Sequence, residues 1–449
     1  MTGRIPGGHS PGPPGPRPRD EGPQATGGFR GVAPPDQHWP QASGAQGGRS
    51  PGLAGGDESI GTVAELHAAA TGLTGLADFG EDDYRDGLAV LLESYARDAG
   101  LTAKGVRVAR ALVRGALTAR LSSEAGWAGN PEYANVRIER PVFVVGLPRT
   151  GTTALHRLLT ADPAHQGLEA WLAEVPQPRP PRETWAANPV FQYIQAGFER
   201  HHVLHPEFMA VHYMAADQVE ECWQLLRQSM RSISFECLAH LPGYSAWLRG
   251  QDWTGAYRRH RRNLQLIGLP DRGRRWVLKN PSHLFALDAL LEVYPDALVV
   301  QTHRDPRTAI ASVCSLAAQA TAGWSATFRG NVIGRDQLET WAAGLDLFTE
   351  ARARHDPARF YDVVYDDFVA DPLGTVAGVY QHFGLTLSGQ AEDAMRVLCE
   401  QSRGGREARG RDKQSTGPMG PGHQYALSDF GLTGAQVDER FSGYLRARA

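Results

Sequence analysis

Residues 142–160 read VFVVGLPRTGTTALHRLLT, and no other stretch restricts so sharply what the chain can fold into. Four apolar residues, Val142 to Val145, predict a short buried strand. Gly146 to Gly151 turn the chain, and the apolar spacing from Thr152 onward predicts a helix. Strand, glycine turn and helix start in that order aim backbone N–H groups and the positive end of the helix dipole at one point, which makes an anion site. A nucleotide triphosphatase would carry G-x-x-x-x-G-K-[ST] here, its lysine gripping the terminal phosphates. In this chain Thr152 follows Gly151, and the nearest cation is Arg149, inside the turn.

The remainder sets that loop in a larger frame. Residues 1–58 are dominated by Gly, Pro, Ser and Gln without apolar periodicity and read as a disordered tail. Residues 59–135 carry helical spacing, as in VAELHAAA and VRVARALVRGALTARL, and form a helical N-terminal region of about three amphipathic helices. From residue 136 to 449 short apolar strands alternate with helices. The expected class is α/β: a P-loop-type, mostly parallel sheet flanked by helices. In RWVLKNPSHLFALDALLEVYPDALVVQTHRDPRTAIASVCSL, residues 275–316, a strand ends at Lys279, a helix runs from about Ser282 to Tyr294, and a strand spans Ala297 to Gln301. A second helix opens at Pro306 behind an Asp305 cap. Ligands of open parallel sheets collect at the carboxyl ends of strands, where Gly146, Lys279 and Arg304 all fall. On the Pro306 helix, Thr308, Ser312 and Ser315 share one face and Ile310, Val313 and Ala317 the opposite one. A further strand at about Phe360 to Val364 leads into YDDFVADP.

Composition narrows the function classes. A formal net charge of −3 over 449 residues leaves no basic surplus for nucleic acid. No run approaches a membrane span, no signal-peptide pattern opens the chain, and a cytoplasmic location is the expectation. Cys222, Cys237, Cys314 and Cys399 are scattered and fit neither a metal site nor a disulfide framework, so no metal is expected. Of 46 basic residues only Lys104, Lys279 and Lys413 are lysines, so a lysine at a strand end stands out. Nothing in the sequence sets an oligomeric state.

Together these residues resemble the sulfotransferase superfamily, whose members move a sulfuryl group from 3'-phosphoadenosine 5'-phosphosulfate (PAPS) to a hydroxyl or amine. The family's [KR]-[ST]-G-[TS]-T element matches Arg149, Thr150, Gly151, Thr152 and Thr153, and the resemblance implies that these bind the 5'-phosphosulfate without a metal. An arginine at a strand end with a serine eight residues on, here Arg304 and Ser312, implies the 3'-phosphate site. Tyr365 matches a tyrosine placed by the nucleotide. Site chemistry is most similar to the tyrosylprotein branch, which implies Glu169 as the base that deprotonates the acceptor and Lys279 as the transition-state cation beside Arg149. The helical N-terminal region, with TGLADFG, looks like that of bacterial sulfotransferase-like proteins.

Some alternatives stay open at this level. Cytosolic small-molecule relatives use a histidine base about 60 residues after the loop, where His205 and His212 lie, and a C-terminal R-K-G triplet for which SRGGREARGRDK is a rough stand-in. Asp217, Glu220 and Glu221 read as part of a helix with Val219, Trp223 and Leu226, either solvated or lining the acceptor pocket. The aromatic-rich middle suits a hydrophobic hydroxyl acceptor. A P-loop nucleotide kinase or ATPase, and a catalytically inactive nucleotide-binding protein, are the competing classes.

Overall fold

The computed structural model describes residues 2–3, 59–204, 214–412 and 426–448, with side chains in the last turns before residue 412 left aside. The predicted tail at residues 1–58 and both histidines, His205 and His212, lie outside the described residues apart from Thr2 and Gly3.

Five strands make one sheet: β1 (Val142–Gly146), β2 (His165–Gln166), β3 (Arg275–Lys279), β4 (Leu298–His303) and β5 (Phe360–Val364), in the order β2-β3-β1-β4-β5. All pairings are parallel. The register places Val144 opposite Lys279 on one side of β1 and Gly146 opposite Thr302 on the other. The turn after β1 therefore sits between the ends of β3 and β4. Alternation along β1 sends Phe143 and Val145 into one buried cluster and Val142 and Val144 into another. Both faces of the sheet are covered, as a continuous apolar run in a parallel sheet requires.

The N-terminal region supplies α1 (Val63–Thr74), α2 (Arg85–Arg97) and α3 (Ala103–Gly129). Thr62 caps α1 in a capping box with Glu65, and the Thr102 hydroxyl accepts from the Gly105 N–H at the start of α3. Their buried residues, among them Leu66, Leu88, Leu91, Val113 and Leu117, belong to the same cluster as Phe143 and Val145. These helices are thus continuous with the sheet's core.

Two local expectations change. The helix read from Ser282 to Tyr294 is a 3-10 turn at Pro281–Phe285 and a separate α-helix at Leu287–Val293, because Asn280 caps the Ser282 N–H and Ala286 leaves helical dihedrals at φ −147° and ψ 43°. The acidic segment before Trp223 is not helical. Val219 forms a β-bridge with Glu169, the Cys222 N–H donates to the Lys279 carbonyl at 3.2 Å, and the helix begins only at Trp223. Tertiary hydrogen bonds here override an apolar spacing that looked helical. The cysteines are all free, with Cys222 and Cys314 buried.

Candidate functional site

The turn after β1 is built on conformations that few residues tolerate. Gly146 has φ +143°, and a Cβ there would lie 2.4 Å from the Thr302 hydroxyl. Gly151, the N-cap of α4 (Thr152–Thr160), has φ +89°, and its Cβ would meet the Tyr365 ring at 3.0 Å. Arg149 also has a left-handed backbone, φ 70°, a costly state for a residue with a side chain. Two contacts hold it there: Arg304 Nη1 donates to the Arg149 carbonyl at 2.9 Å, and Arg149 Nε donates to Ser312 Oγ at 3.0 Å. The buried Thr150 hydroxyl donates to the Leu147 carbonyl and lies 2.6 Å from Thr302 Oγ1. Its side chain therefore braces the turn and leaves only its amide to face a ligand.

Arg304 follows β4 directly, its guanidinium 4.1 Å from the centre of the Tyr365 ring. Behind it, Asp305 caps the Pro306–Ala320 helix by accepting from the Arg307 N–H, as the Asp-Pro pair predicts. Ser312 is buried at the Arg149 side chain, whereas Thr308 is exposed and turned back to Asp305. Arg149, Arg304, Ser312 and Tyr365 thus converge on one loop. Among the described residues, neither guanidinium has an ion-pair partner. Two adjacent cations without a counter-charge fit an anion with several oxygens, such as a phosphate.

The lysine missing from the turn arrives from the neighbouring strand. Lys279, only 1% exposed, donates from Nζ to Thr153 Oγ1 at 3.1 Å and forms an ion pair with Glu221 Oε1. Burial pushes the Glu221 carboxyl above its ordinary range, and the Lys279 ammonium works against that push. Glu169 does not join this group. It stands at the N-cap position of the helix Ala170–Glu174 without capping it; its Oε2 instead accepts from Arg179 at 3.1 Å, and Arg179 also donates to Asp271, Gln166 and the Gly167 carbonyl. Burial raises the Glu169 pKa too, against the opposing Arg179 charge.

A cavity of about 390 Å³ opens beside the loop. Arg149, Thr152, Thr153, Glu220 and Glu221 line one end. Val108, Ala111, Leu112, Gly115 and Ala119 of α3 form a wall, facing Val313, Leu316 and Ala317 of the Pro306–Ala320 helix. Contact residues on α3 run from Lys104 to Ala119, which at 1.5 Å per residue is about 22 Å. Sequence reading missed this role for α3, because apolar periodicity reports that a face is buried and not what it faces. Of the segment SRGGREARGRDK, residues 402–412 continue the helix Gly389–Asp412, while the side chains beyond Ser402, and Lys413 entirely, lie outside the described residues.

A parallel α/β sheet whose first strand ends in an anion loop, with a lysine and an arginine supplied by the strands on either side, defines a phosphate-binding α/β class without a P-loop lysine. A profile of the sulfotransferase family matches residues 141–389, more than half the chain, and the chain belongs to that family. The omega-hydroxy-beta-dihydromenaquinone-9 sulfotransferase Stf3 of Mycobacterium tuberculosis is 29% identical over 256 residues, covering 55% of this chain and 63% of the relative, so the match spans less than two thirds of that protein. Among solved structures, sulfotransferase STF1 of Mycobacterium tuberculosis H37Rv is 56% identical with a TM-score of 0.78, over 86% of this chain and 100% of that one. STF9 of Mycobacterium avium is 26% identical with a TM-score of 0.75, over 86% and 96% of the two chains. The resemblance drawn from the loop and from the Arg304–Ser312 spacing is thereby confirmed at the level of family and fold.

Proposed function

We infer that this chain transfers a sulfuryl group from PAPS to a hydroxyl of an apolar acceptor held in the cavity against α3. The observation that carries this reading is the meeting, at one loop, of two guanidiniums without ion-pair partners among the described residues and an apolar-walled cavity. PAPS supplies an activated sulfuryl group between a phosphate and the acceptor. Arg149, the amides of Thr150 and Gly151, and the hydroxyls of Thr152 and Thr153 hold its 5' end, where the α4 dipole adds to the attraction. Arg304 and Ser312 hold the 3'-phosphate, and Tyr365 stacks by the nucleotide with Arg304 against its other side. Lys279, a compact cation on a neighbouring strand, neutralises charge where the sulfur–oxygen bond breaks.

An omega-hydroxylated acceptor, as in the name of the Mycobacterium relative, is in keeping with a cavity lined by about 22 Å of one helix. Free cysteines suit a reducing compartment and a cytoplasmic enzyme. No described helix is long and apolar enough to cross a membrane. Calorimetry tests the donor assignment: 3'-phosphoadenosine 5'-phosphate (PAP) should bind, adenosine 5'-phosphate should bind at least ten-fold more weakly, and ATP with magnesium should not compete. Equal affinity for PAP and adenosine 5'-phosphate would reject it, and tight magnesium-dependent ATP binding would favour a kinase.

A further inference from the structure

We propose that Glu221 is the residue that takes the acceptor's proton, with Lys279 passing from Glu221 to the donor's bridging oxygen as the bond from that oxygen to sulfur breaks. This rests on the transfer reaction inferred above and departs from the Glu169 role that family resemblance implies.

Geometry separates the two carboxylates. Glu221 lines the cavity and touches Lys279, which in turn touches Thr153 at the start of α4. Acceptor space and anion loop therefore meet at the Glu221–Lys279–Thr153 chain. Glu169 is bound to a buried arginine that itself makes four kinds of contact, and it lies outside the cavity wall. The Glu221 backbone is fixed on both sides: the Glu220 N–H donates to the Leu168 carbonyl at 2.8 Å and the Cys222 N–H to the Lys279 carbonyl at 3.2 Å. A carboxylate so held needs little reorganisation during reaction.

Donor counting supports the exchange. An ammonium has three N–H donors. Thr153 and Glu221 use two, and one remains for an incoming sulfuryl or phosphate oxygen. Glu221 Oε2 is buried with no well-formed hydrogen bond, although the Trp223 side chain lies close enough to favour the charged carboxylate, and a hydroxyl hydrogen would satisfy it. In the step itself the acceptor oxygen forms a bond to sulfur while its proton goes to Glu221. The bond from sulfur to the bridging phosphate oxygen breaks, and its electron pair stays on that oxygen, yielding the sulfate ester and PAP. The PAP complex is then the state in which Glu221 carries a proton and Lys279 faces phosphate.

Other titratable groups around the pair are Glu220 beside it, Cys222 and Cys237 near the carboxylate, and His156 of α4 near Lys279. Burial raises both thiols and pushes His156 down to about 3, so neither thiol nor imidazole exchanges protons near neutrality.

The test is calorimetry of PAP binding near pH 7 in two buffers of different ionisation enthalpy, which reads protons exchanged without needing the acceptor. Wild type should take up more protons than Glu221→Gln, by a difference approaching one. Lys279→Met, in which the carboxyl loses its ammonium beforehand, should likewise lack the extra uptake and serves if Glu221→Gln does not fold. Glu169→Gln should exchange protons like wild type. Tight PAP binding with the same exchange in wild type, Glu221→Gln and Lys279→Met would overturn the Glu221 assignment alone, and absence of PAP binding to wild type would overturn the donor reading with it. Turnover adds a second reading: with 1-dodecanol as acceptor, Glu221→Gln should fall by roughly 10²- to 10⁴-fold while still binding PAP.

Discussion

Arg304 Nη1 donates to the backbone carbonyl of Arg149 at 2.9 Å, which joins the arginine of the second strand end to the strained residue of the first loop. The two arginines form one unit, since a guanidinium that caps the Arg149 carbonyl also fixes where the Arg149 side chain can go.

Replacing Arg304 should therefore cost more than one phosphate contact. Charge-assisted hydrogen bonds are worth about 1.5–3 kcal/mol each, so Arg304→Ala should weaken PAP binding ten-fold or more. Arg304→Lys should recover only part of the loss, because a point charge cannot cap the carbonyl and stack on Tyr365 together. Titration calorimetry on the three proteins checks both statements, and a lysine variant with native affinity would contradict the second.

The wall formed by α3 should set acceptor length. Ala111→Phe should raise KM for long-chain alcohols by about ten-fold or more, while Leu112→Ala should relax the length limit. PAP affinity should stay within about two-fold in both, since neither residue touches the loop. A chain-length series of primary alcohols assayed against each variant reads the effect.

Arg179→Ala should be strongly destabilising. Its guanidinium serves Glu169 and Asp271 at 3.1 and 2.6 Å and is almost fully buried. Removing one partner of a buried pair leaves a charge uncompensated, at a cost of about 3–5 kcal/mol. Urea unfolding should show a lower midpoint at unchanged slope, and Arg179→Ala with native stability would mean that Glu169 has another partner.

Stability should also depend on pH through Glu236. Burial pushes this carboxyl from its ordinary 4.5 up to about 7, and its Oε2 has no hydrogen-bond partner in the protein. Between those values the folded state holds a proton that the unfolded chain has released. Stability from this group is therefore full below about pH 4.5 and is lost as pH rises through about 7. The whole effect is about 3 kcal/mol at 1.36 kcal/mol per unit. Glu236→Gln should flatten the decline, and parallel melting curves of the two proteins between pH 4.5 and 7.5 would show the carboxyl to be ordinary.

Charge neutralisation by Arg149, Arg304 and Lys279 predicts turnover without a divalent ion. Excess EDTA should leave the rate with PAPS intact. Loss of activity restored by magnesium would point instead to phosphoryl chemistry.

What could be read from sequence is what a fixed local spacing displays. Gly146 and Gly151 bound one turn and Arg304 and Ser312 stand eight residues apart, and such spacings show in the sequence, although the residues they meet, Thr302, Tyr365 and Arg149, lie more than 150 residues away. Strand β5 falls at Phe360–Val364 as read, because turn residues and a short apolar run bound it on both sides. Glu221 was harder to place. Its position depends on hydrogen bonds from Glu220 to Leu168 and from Cys222 to Lys279, partners about fifty residues away in either direction. Its surroundings imitate a helical face, and no periodicity reports a tertiary tether. Glu169 stood at the right distance from the loop, yet Arg179, ten residues on, claims its carboxylate, and no motif signals that pairing.

The continuity of α1–α3 with the core has a consequence for how such a chain diversifies. In the proposed function the donor would be gripped by a loop and two strand ends encoded from residue 146 onward, while one wall of the acceptor's cavity is a helix encoded before any of them. Changes in the first third of the chain can retune what is modified without disturbing what is spent in modifying it. Substrate choice and donor economy are inherited from different addresses in the same sequence.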